Sequence, residues 1–250
     1  METTESELLG GRVRLLQPRR GYRVAVDPLL LQAAVPARSG ELVLDAGAGT
    51  GAAAICLAVR VPGCRVIAVE RDPAMAELLR TNVARNRLEE RIEVLEADVA
   101  ELPARLRGRP VHHAMTNPPH LDPARARAPQ AQVHAFVETL PLPAWLAATA
   151  AVLRPRGWLV VVHRAERWAD LARALPDGFG DLRLFPLWPR AGGTFARRLL
   201  FAARRGVRSP AVLLSGLVLH DDGGYTPEAE AVLRRGAALP LCVPPAELRA

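Results

Sequence analysis

Asp45-Ala46-Gly47-Ala48-Gly49-Thr50-Gly51 follows the apolar run Leu42-Val43-Leu44 and leads directly into Ala52 to Val59, which reads as a helix. A strand, a glycine-rich turn and a helix in immediate succession are the first unit of an α/β fold built on a parallel sheet. Glycines at such a turn let the backbone approach a ligand and present amide N–H groups at a helix start. The spacing here is G-x-G-x-G, whereas a dinucleotide site prefers G-x-G-x-x-G, and the absence of Lys excludes a P-loop. Asp45 sits at the strand end, where a carboxylate can bind an ammonium group.

The pattern repeats outward from this unit. Arg65-Val66-Ile67-Ala68-Val69 is a second β-branched run, ending at Glu70. Asp72-Pro73 then supplies a cap and a proline for a helix from Ala74 to about Asn86. Ile92 to Leu95 is a third strand, closed by Asp98, and Val111 to Met115 a weaker fourth, ending at Asn117-Pro118-Pro119-His120. Further on, Pro143 to Leu153 reads as a helix, Trp158 to Val162 as a buried strand and Arg167 to Leu175 as another helix. Strand-like runs fill Leu182 to Val218. Upstream, Asp27-Pro28 should cap and open a helix, and Leu8 to Val26 reads as strands or a hairpin. The expected organisation is an N-terminal strand or hairpin extension over 1–26 and one α/β domain over 27–250.

Composition bounds the function. The chain has 250 residues, of which 33 are basic and 26 acidic, for a net charge of +7, and half of it is apolar. No apolar run approaches the roughly 18 residues of a membrane span. The acidic, polar start METTESELLGG does not read as a secretory signal. Cys56, Cys64 and Cys242 are few and scattered, which argues against a disulfide framework or a paired-cysteine metal site. His112-His113 also lacks acidic or Cys partners at ligand spacing, so no metal is expected. Every basic residue is Arg, a group that stays charged and grips phosphate in bidentate fashion, and the positive excess favours an anionic partner. These features predict a soluble, cytoplasmic protein. Trp145, Trp158, Trp168 and Trp188 are expected to supply core bulk.

The acids at successive strand ends specify a ligand. Such ends converge on one crevice at the carboxyl edge of a parallel sheet. Glu70 can accept hydrogen bonds from both ribose hydroxyls there, and Asp98 from an adenine amino group. With Asp45 for an ammonium group, the set fits S-adenosylmethionine, which offers an amino acid, a ribose and an adenine but no phosphate. The glycine loop resembles motif I of the class I methyltransferases, and Asp45, Gly47, Gly49, Glu70 and Asp98 fall where that family contacts its cofactor. The resemblance implies a Rossmann-like, seven-stranded and mostly parallel sheet with helices on both faces. The competing reading is a Rossmann-like protein that uses these acids as helix caps.

Asn117-Pro118-Pro119-His120 carries the chemistry. Two prolines fix the backbone and leave carbonyls free as acceptors. The Asn117 side-chain oxygen and the Pro118 carbonyl can together accept both hydrogens of one NH₂ group. An adenine amine or a glutamine amide is a poor nucleophile because its lone pair is delocalised. Two acceptors favour a pyramidal nitrogen with its lone pair aimed at a methyl donor, which needs positioning more than a strong base. The segment resembles the NPPY motif of N-methyltransferases acting on planar NH₂ groups, with His120 where that family has a stacking aromatic. Imidazole also stacks on RNA bases.

The order of features narrows the resemblance. Val24 to Leu31 before the glycine loop, Phe195-Ala196-Arg197-Arg198-Leu199-Leu200, and Asp222 to Ala229 together look like the bacterial tRNA1(Val) adenine-N6 methyltransferases. That likeness implies a tRNA partner. Arg12, Arg14, Arg19, Arg20 and Arg23 precede the core, and Arg197, Arg198, Arg204, Arg205 and Arg208 lie near its end, as candidate phosphate contacts. Arg125 and Arg127 would flank the substrate mouth beside His120, and Arg190, Gly192 and Gly193 would shape the same edge. The rivals are protein glutamine N5 methylation, DNA adenine methylation, and a non-catalytic protein that binds RNA and the cofactor.

Overall fold

The computed structural model describes residues 2–20, 24–119 and 140–243. His120, Arg125, Arg127 and Arg23 lie outside the described residues. The first strands, β1 (Thr3–Leu8) and β2 (Val13–Pro18), form an antiparallel hairpin of their own. Next come α1 (Asp27–Ala34), β3 (Leu42–Ala46), α2 (Ala52–Arg60), β4 (Arg65–Glu70), α3 (Pro73–Arg85) and β5 (Ile92–Glu96). After a 3-10 turn at Val99–Glu101 follow α4 (Leu102–Arg105), β6 (Val111–Thr116), α5 (Leu142–Ala151) and β7 (Leu153–Arg164). A 3-10 turn at Ala165–Arg167 leads to α6 (Trp168–Ala174), β8 (Phe179–Arg190) and β9 (Arg198–Arg205). The chain continues through β10 (Val212–Leu213), β11 (Leu217–Asp221), β12 (Gly224–Tyr225), α7 (Pro227–Leu233) and a 3-10 turn at Pro240–Cys242.

The main sheet has the order β12-β11-β8-β9-β7-β6-β3-β4-β5, with β10 pairing beside β8. Strands β5, β4, β3, β6 and β7 run parallel, and β9 is antiparallel to both of its neighbours. The seven strands from β5 to β8 are those expected, and three short strands extend the sheet to ten. Alternation sends successive side chains to opposite faces. Val43, Val66, Ala68 and Val160 pack beneath α1, α2, α3, α7 and the hairpin. Leu44, Ile67, Val69 and Val161 pack beneath α5 and α6. Helices therefore cover both faces of this Rossmann-like fold.

One local expectation holds and several resolve differently. Asp72 caps α3, accepting from the Ala74 and Met75 amides. Asp27 does not cap α1: the cap position is Val26, and the Asp27 carboxylate instead pairs with Arg198 at 3.0 Å. Strand β7 begins at Leu153 and runs through Pro155 and Gly157, with a register shift against β6 between Val111 and His113. Trp145 and Trp158 are buried, but Trp168 is 51% exposed at the start of α6. His112 and His113 bond the backbone N–H groups of Leu42 and Trp158. Among the described residues no helix is long and apolar enough to cross a membrane, and no metal-binding cluster occurs.

Candidate active site

The carboxyl ends of β3, β4 and β6 open onto one cavity of about 220 Å³. Asp45, Gly47, Gly49 and Thr50 come from the glycine loop, Glu70 from β4, and Asn117, Pro118 and Pro119 from the end of β6. Val24, Pro28 and Leu31 close one side, and Trp145 of α5 another. Ala97 and Val99 line the cavity, while Asp98 between them caps the 3-10 turn, bonding the Ala100 amide at 2.9 Å. Asp98 also pairs with Arg71 at 3.6 Å.

The glycine loop does not present a row of free amides. The Gly47 and Ala48 N–H groups donate to the Val69 carbonyl at 2.9 and 2.8 Å, and Gly51 donates to Ala48 at 2.9 Å. The Gly49 N–H donates to Glu70 Oε2 at 2.8 Å. The end of β4 thus takes the amides of the first part of the loop, before α2 begins. Gly47 has φ +78°, and a Cβ there would stand 3.0 Å from the Trp145 ring. Gly51 has φ +90°, and a Cβ there would come within 2.2 Å of Leu79.

The polar atoms left over belong to Asp45 and Thr50. Both residues are buried, at 2% and 1% exposure, and Asp45 Oδ2 and Thr50 Oγ1 have no hydrogen-bond partner among the described residues. Burial pushes the Asp45 carboxyl up to about 7, the Ala54 backbone amide opposes this, and the nearby charge of Glu70 adds to the rise. A buried carboxylate with one oxygen unpartnered is costly, and a cationic ligand group relieves that cost. The Glu70 carboxylate bonds the amides of Gly49 and Asp72 at 2.8 and 2.9 Å. Two oxygens offer about four acceptor sites, so capacity for ribose hydroxyls remains. The one Arg of the lining, Arg71, is paired with Asp98. The donor set thus suits an ammonium and a ribose and makes a poor home for pyrophosphate.

Trp145 and Thr116 were not legible as site residues. The Trp145 Nε1–H donates to Thr116 Oγ1 at 2.9 Å, and the Thr116 hydroxyl donates to the Ala46 carbonyl at 2.8 Å. Thr116 immediately precedes Asn117, and Ala46 immediately precedes Gly47. This buried relay fixes the two strand ends against each other. Asn82 of α3 ties the glycine loop to the hairpin: its amide donates to Leu16 and Thr50 carbonyls at 2.8 and 2.9 Å and accepts from the Leu16 N–H at 2.7 Å.

The candidate phosphate-contact arginines of β9 divide between the two edges of the sheet. Arg198, at the start of β9, lies opposite Arg164 at the carboxyl end of β7, on the cavity's edge. Because β9 runs antiparallel, Arg204 and Arg205 lie at its far end, where Arg204 bonds the Arg156 carbonyl at 3.0 Å and stacks on Trp158. Arg205 bonds the Ala150 and Ala151 carbonyls. Both are thus spent on structure at the opposite edge. Arg190 ends β8 at the same edge of the sheet as the cavity, three strands from β6, and bonds the Asp221 carbonyl at 2.9 Å.

Residues 31–119 match the TRM5/TYW2 methyltransferase domain. A tRNA1(Val) (adenine(37)-N6)-methyltransferase of Porphyromonas gingivalis is 33% identical over 157 residues, 60% of this chain and 61% of that protein. The match to the enzyme of that name from Cronobacter sakazakii is 30% identical over 186 residues, 74% of this chain and 76% of the relative. The chain belongs to the tRNA1(Val) (adenine(37)-N6)-methyltransferase family. The chain spans about half to three fifths of the length of the first curated relatives it matches, and the cavity that joins the orphaned Asp45 oxygen to Glu70 fits S-adenosylmethionine. A release factor glutamine methyltransferase of Chlorobaculum tepidum is also 30% identical, over 57% of this chain and 52% of that one. In structure, a predicted O-methyltransferase from Agrobacterium tumefaciens superposes with a TM-score of 0.70 at 28% identity, covering 85% of this chain and 98% of that chain.

Proposed function

We propose that this methyltransferase, with tRNA as its cytoplasmic partner, transfers a methyl group to the N6 amine of an adenine. Methyl transfer to a planar NH₂ group is supported by the position of Asn117 and Pro118 at the end of β6, on the wall of the cavity that also holds Asp45 and Glu70, and adenine as its bearer by the likeness to the tRNA1(Val) (adenine(37)-N6)-methyltransferases. When bound, S-adenosylmethionine supplies a methyl group on a sulfonium. In this reading Asp45 holds the ammonium of the methionine portion, Gly47 and Gly49 shape its bed, and Glu70 holds the ribose. Asp98, with Ala97 and Val99, borders the adenine. Asn117 Oδ1 and the Pro118 carbonyl accept the two hydrogens of the target amine, and Pro119 stiffens the turn. Holding those hydrogens stabilises the positive charge that develops on nitrogen. Arg197 borders the RNA and Arg198 braces that edge through Asp27, while His120 and Arg125, the other expected substrate contacts, lie outside the described residues.

A second reading, glutamine N5 methylation of a protein, is supported by the likeness to a release factor glutamine methyltransferase. Both substrates present a planar NH₂ group, so Asn117 and Pro118 serve either. Labelled-methyl transfer into total RNA from a deletion strain and, in parallel, into a release factor, followed by nucleoside and amino-acid analysis, separates the two. Label in N6-methyladenosine is expected. Label in glutamine of a release factor and none in adenosine would overturn the tRNA reading and establish the second.

A further inference from the structure

Strands β7 and β9 bring a second set of side chains to the edge that carries the cavity. Thr116 pairs with Val161, and Val161 with Phe201, so Asn117 stands level with Val162 and its partner Leu200. The chain preceding Leu200 therefore projects beyond that level. With neighbouring strands about 4.8 Å apart and about 3.3 Å per residue, Arg197 lies roughly 10 Å to the side of Asn117 and roughly 10 Å further out. That is the place of a neighbouring nucleotide, not of the target base.

This corner is held firmly. The Ala165 N–H donates to the Arg197 carbonyl at 3.1 Å. Arg198 is tied by its Nε to Asp27 at 3.0 Å, and Pro28, next to Asp27, lines the cavity. Arg198 is therefore spent on joining β9 to the cavity wall. Arg197 is exposed and meets no carboxylate among the described residues; its guanidinium lies 5.8 Å from the centre of the Phe195 ring. Phe195 is 62% exposed. Trp168, the other exposed aromatic among the described residues, follows the end of β7 at the same edge.

A phenyl ring left in water beneath an uncompensated guanidinium contributes little to the fold. It offers a nucleic acid a flat stacking face and a phosphate contact in one unit. Unpaired RNA bases are recognised by such stacking on aromatic and guanidinium planes. We infer that Phe195 and Arg197 form a platform for an unpaired nucleobase beside the methylated adenine, Phe195 stacking on the base and Arg197 holding its phosphate. The inference rests on the tRNA reading above and assigns that substrate a second contact point.

The test measures binding of a fluorescently labelled tRNA transcript to the full chain by anisotropy, with methyl transfer followed in parallel. Phe195→Ala and Phe195→Leu should each weaken RNA binding about tenfold, and Phe195→Trp should keep it within about twofold. Arg197→Ala should weaken binding and lower the salt dependence by about one phosphate contact. The loss should fall in KM for RNA, with cofactor affinity and thermal midpoint as controls. If Phe195→Leu binds as the native chain does, the contact is apolar, of the kind a protein partner makes, and the platform is wrong. If the native chain methylates tRNA while Phe195→Ala changes neither Kd nor KM, the platform alone is overturned. If the variants lose RNA binding but the native chain yields no N6-methyladenosine, the platform stands and the adenine reading falls.

Discussion

Asp45→Asn replaces a buried carboxyl, one oxygen of which has no partner among the described residues, with a neutral amide of the same shape. Burial raises the Asp45 carboxyl from its ordinary 3.8 to about 7. Between those values the folded chain holds a proton that the unfolded chain has released. A group raised in this way contributes stability that is complete below the unfolded value and is lost as pH rises through the folded one. Each pH unit in that interval costs about 1.4 kcal/mol, so from pH 5 to pH 8 the ligand-free native chain should lose about 3 kcal/mol relative to Asp45→Asn. Urea unfolding of both proteins at the two pH values, read as the change in their stability difference, measures this directly. Cofactor binding should move the other way. An ammonium needs the ionised carboxylate, whose population rises as pH climbs through about 7. Native affinity for S-adenosylmethionine should therefore improve roughly eightfold from pH 6 to pH 7.5, and Asp45→Asn should bind weakly at both. Parallel pH profiles for the two proteins in urea would refute the account of Asp45 as a destabilising carboxylate kept for its ligand.

Asn117→Ala should bind cofactor nearly as the native chain does, by calorimetry, and lose about a hundredfold in kcat, the scale seen when one transition-state hydrogen-bonding group is removed; full turnover would remove Asn117 from the mechanism. Trp145→Phe deletes the donor to Thr116 Oγ1 at 2.9 Å. It should lower the thermal midpoint by about 3 °C, the worth of one hydrogen bond at this size, yet lower kcat at least tenfold, since a small misplacement of the reacting groups is costly. Gly51→Ala and Gly108→Ala both force a side chain into positive φ, at +90° and +75°, but only the first meets a neighbour, Leu79 at 2.2 Å. Thermal or urea unfolding should show a loss of about 1 kcal/mol for Gly108→Ala and about 3 kcal/mol for Gly51→Ala; equal losses would mean that Leu79 moves aside freely.

What the sequence revealed was what depends on near neighbours. The β3-loop-α2 unit, the Asp72 cap and the strand ends carrying Asp45, Glu70 and Asn117 are short-range patterns, and each lies where its spacing placed it. Asp27 has the same Asp-Pro signature as Asp72 but does not cap, because Arg198, 171 residues away, offers a charged partner that a backbone amide cannot match. Trp168 was expected in the core because of its size; it opens α6 at the surface. The arginines near the chain's end read together as candidate phosphate contacts, and the antiparallel direction of β9 sends Arg198 and Arg204 to opposite edges of the sheet.

The glycine loop shows why a motif alone underdetermines its ligand. The letters G-x-G-x-G permit either a phosphate cradle or a bed for an amino acid, and the difference lies in where the amides point. Here the Val69 carbonyl takes two of them and the Glu70 carboxylate a third. A phosphate at this loop would have to break those bonds and sit beside two carboxylates, each step unfavourable. An ammonium finds the opposite: an orphaned carboxylate oxygen, buried, whose cost the ligand itself removes. The same carboxylate that holds the loop closed, Glu70, also repels charge from Asp45 and helps keep it protonated when no cation is near. Cofactor selectivity at this site is therefore set by the acceptors that surround the glycines, with the glycines supplying only the room.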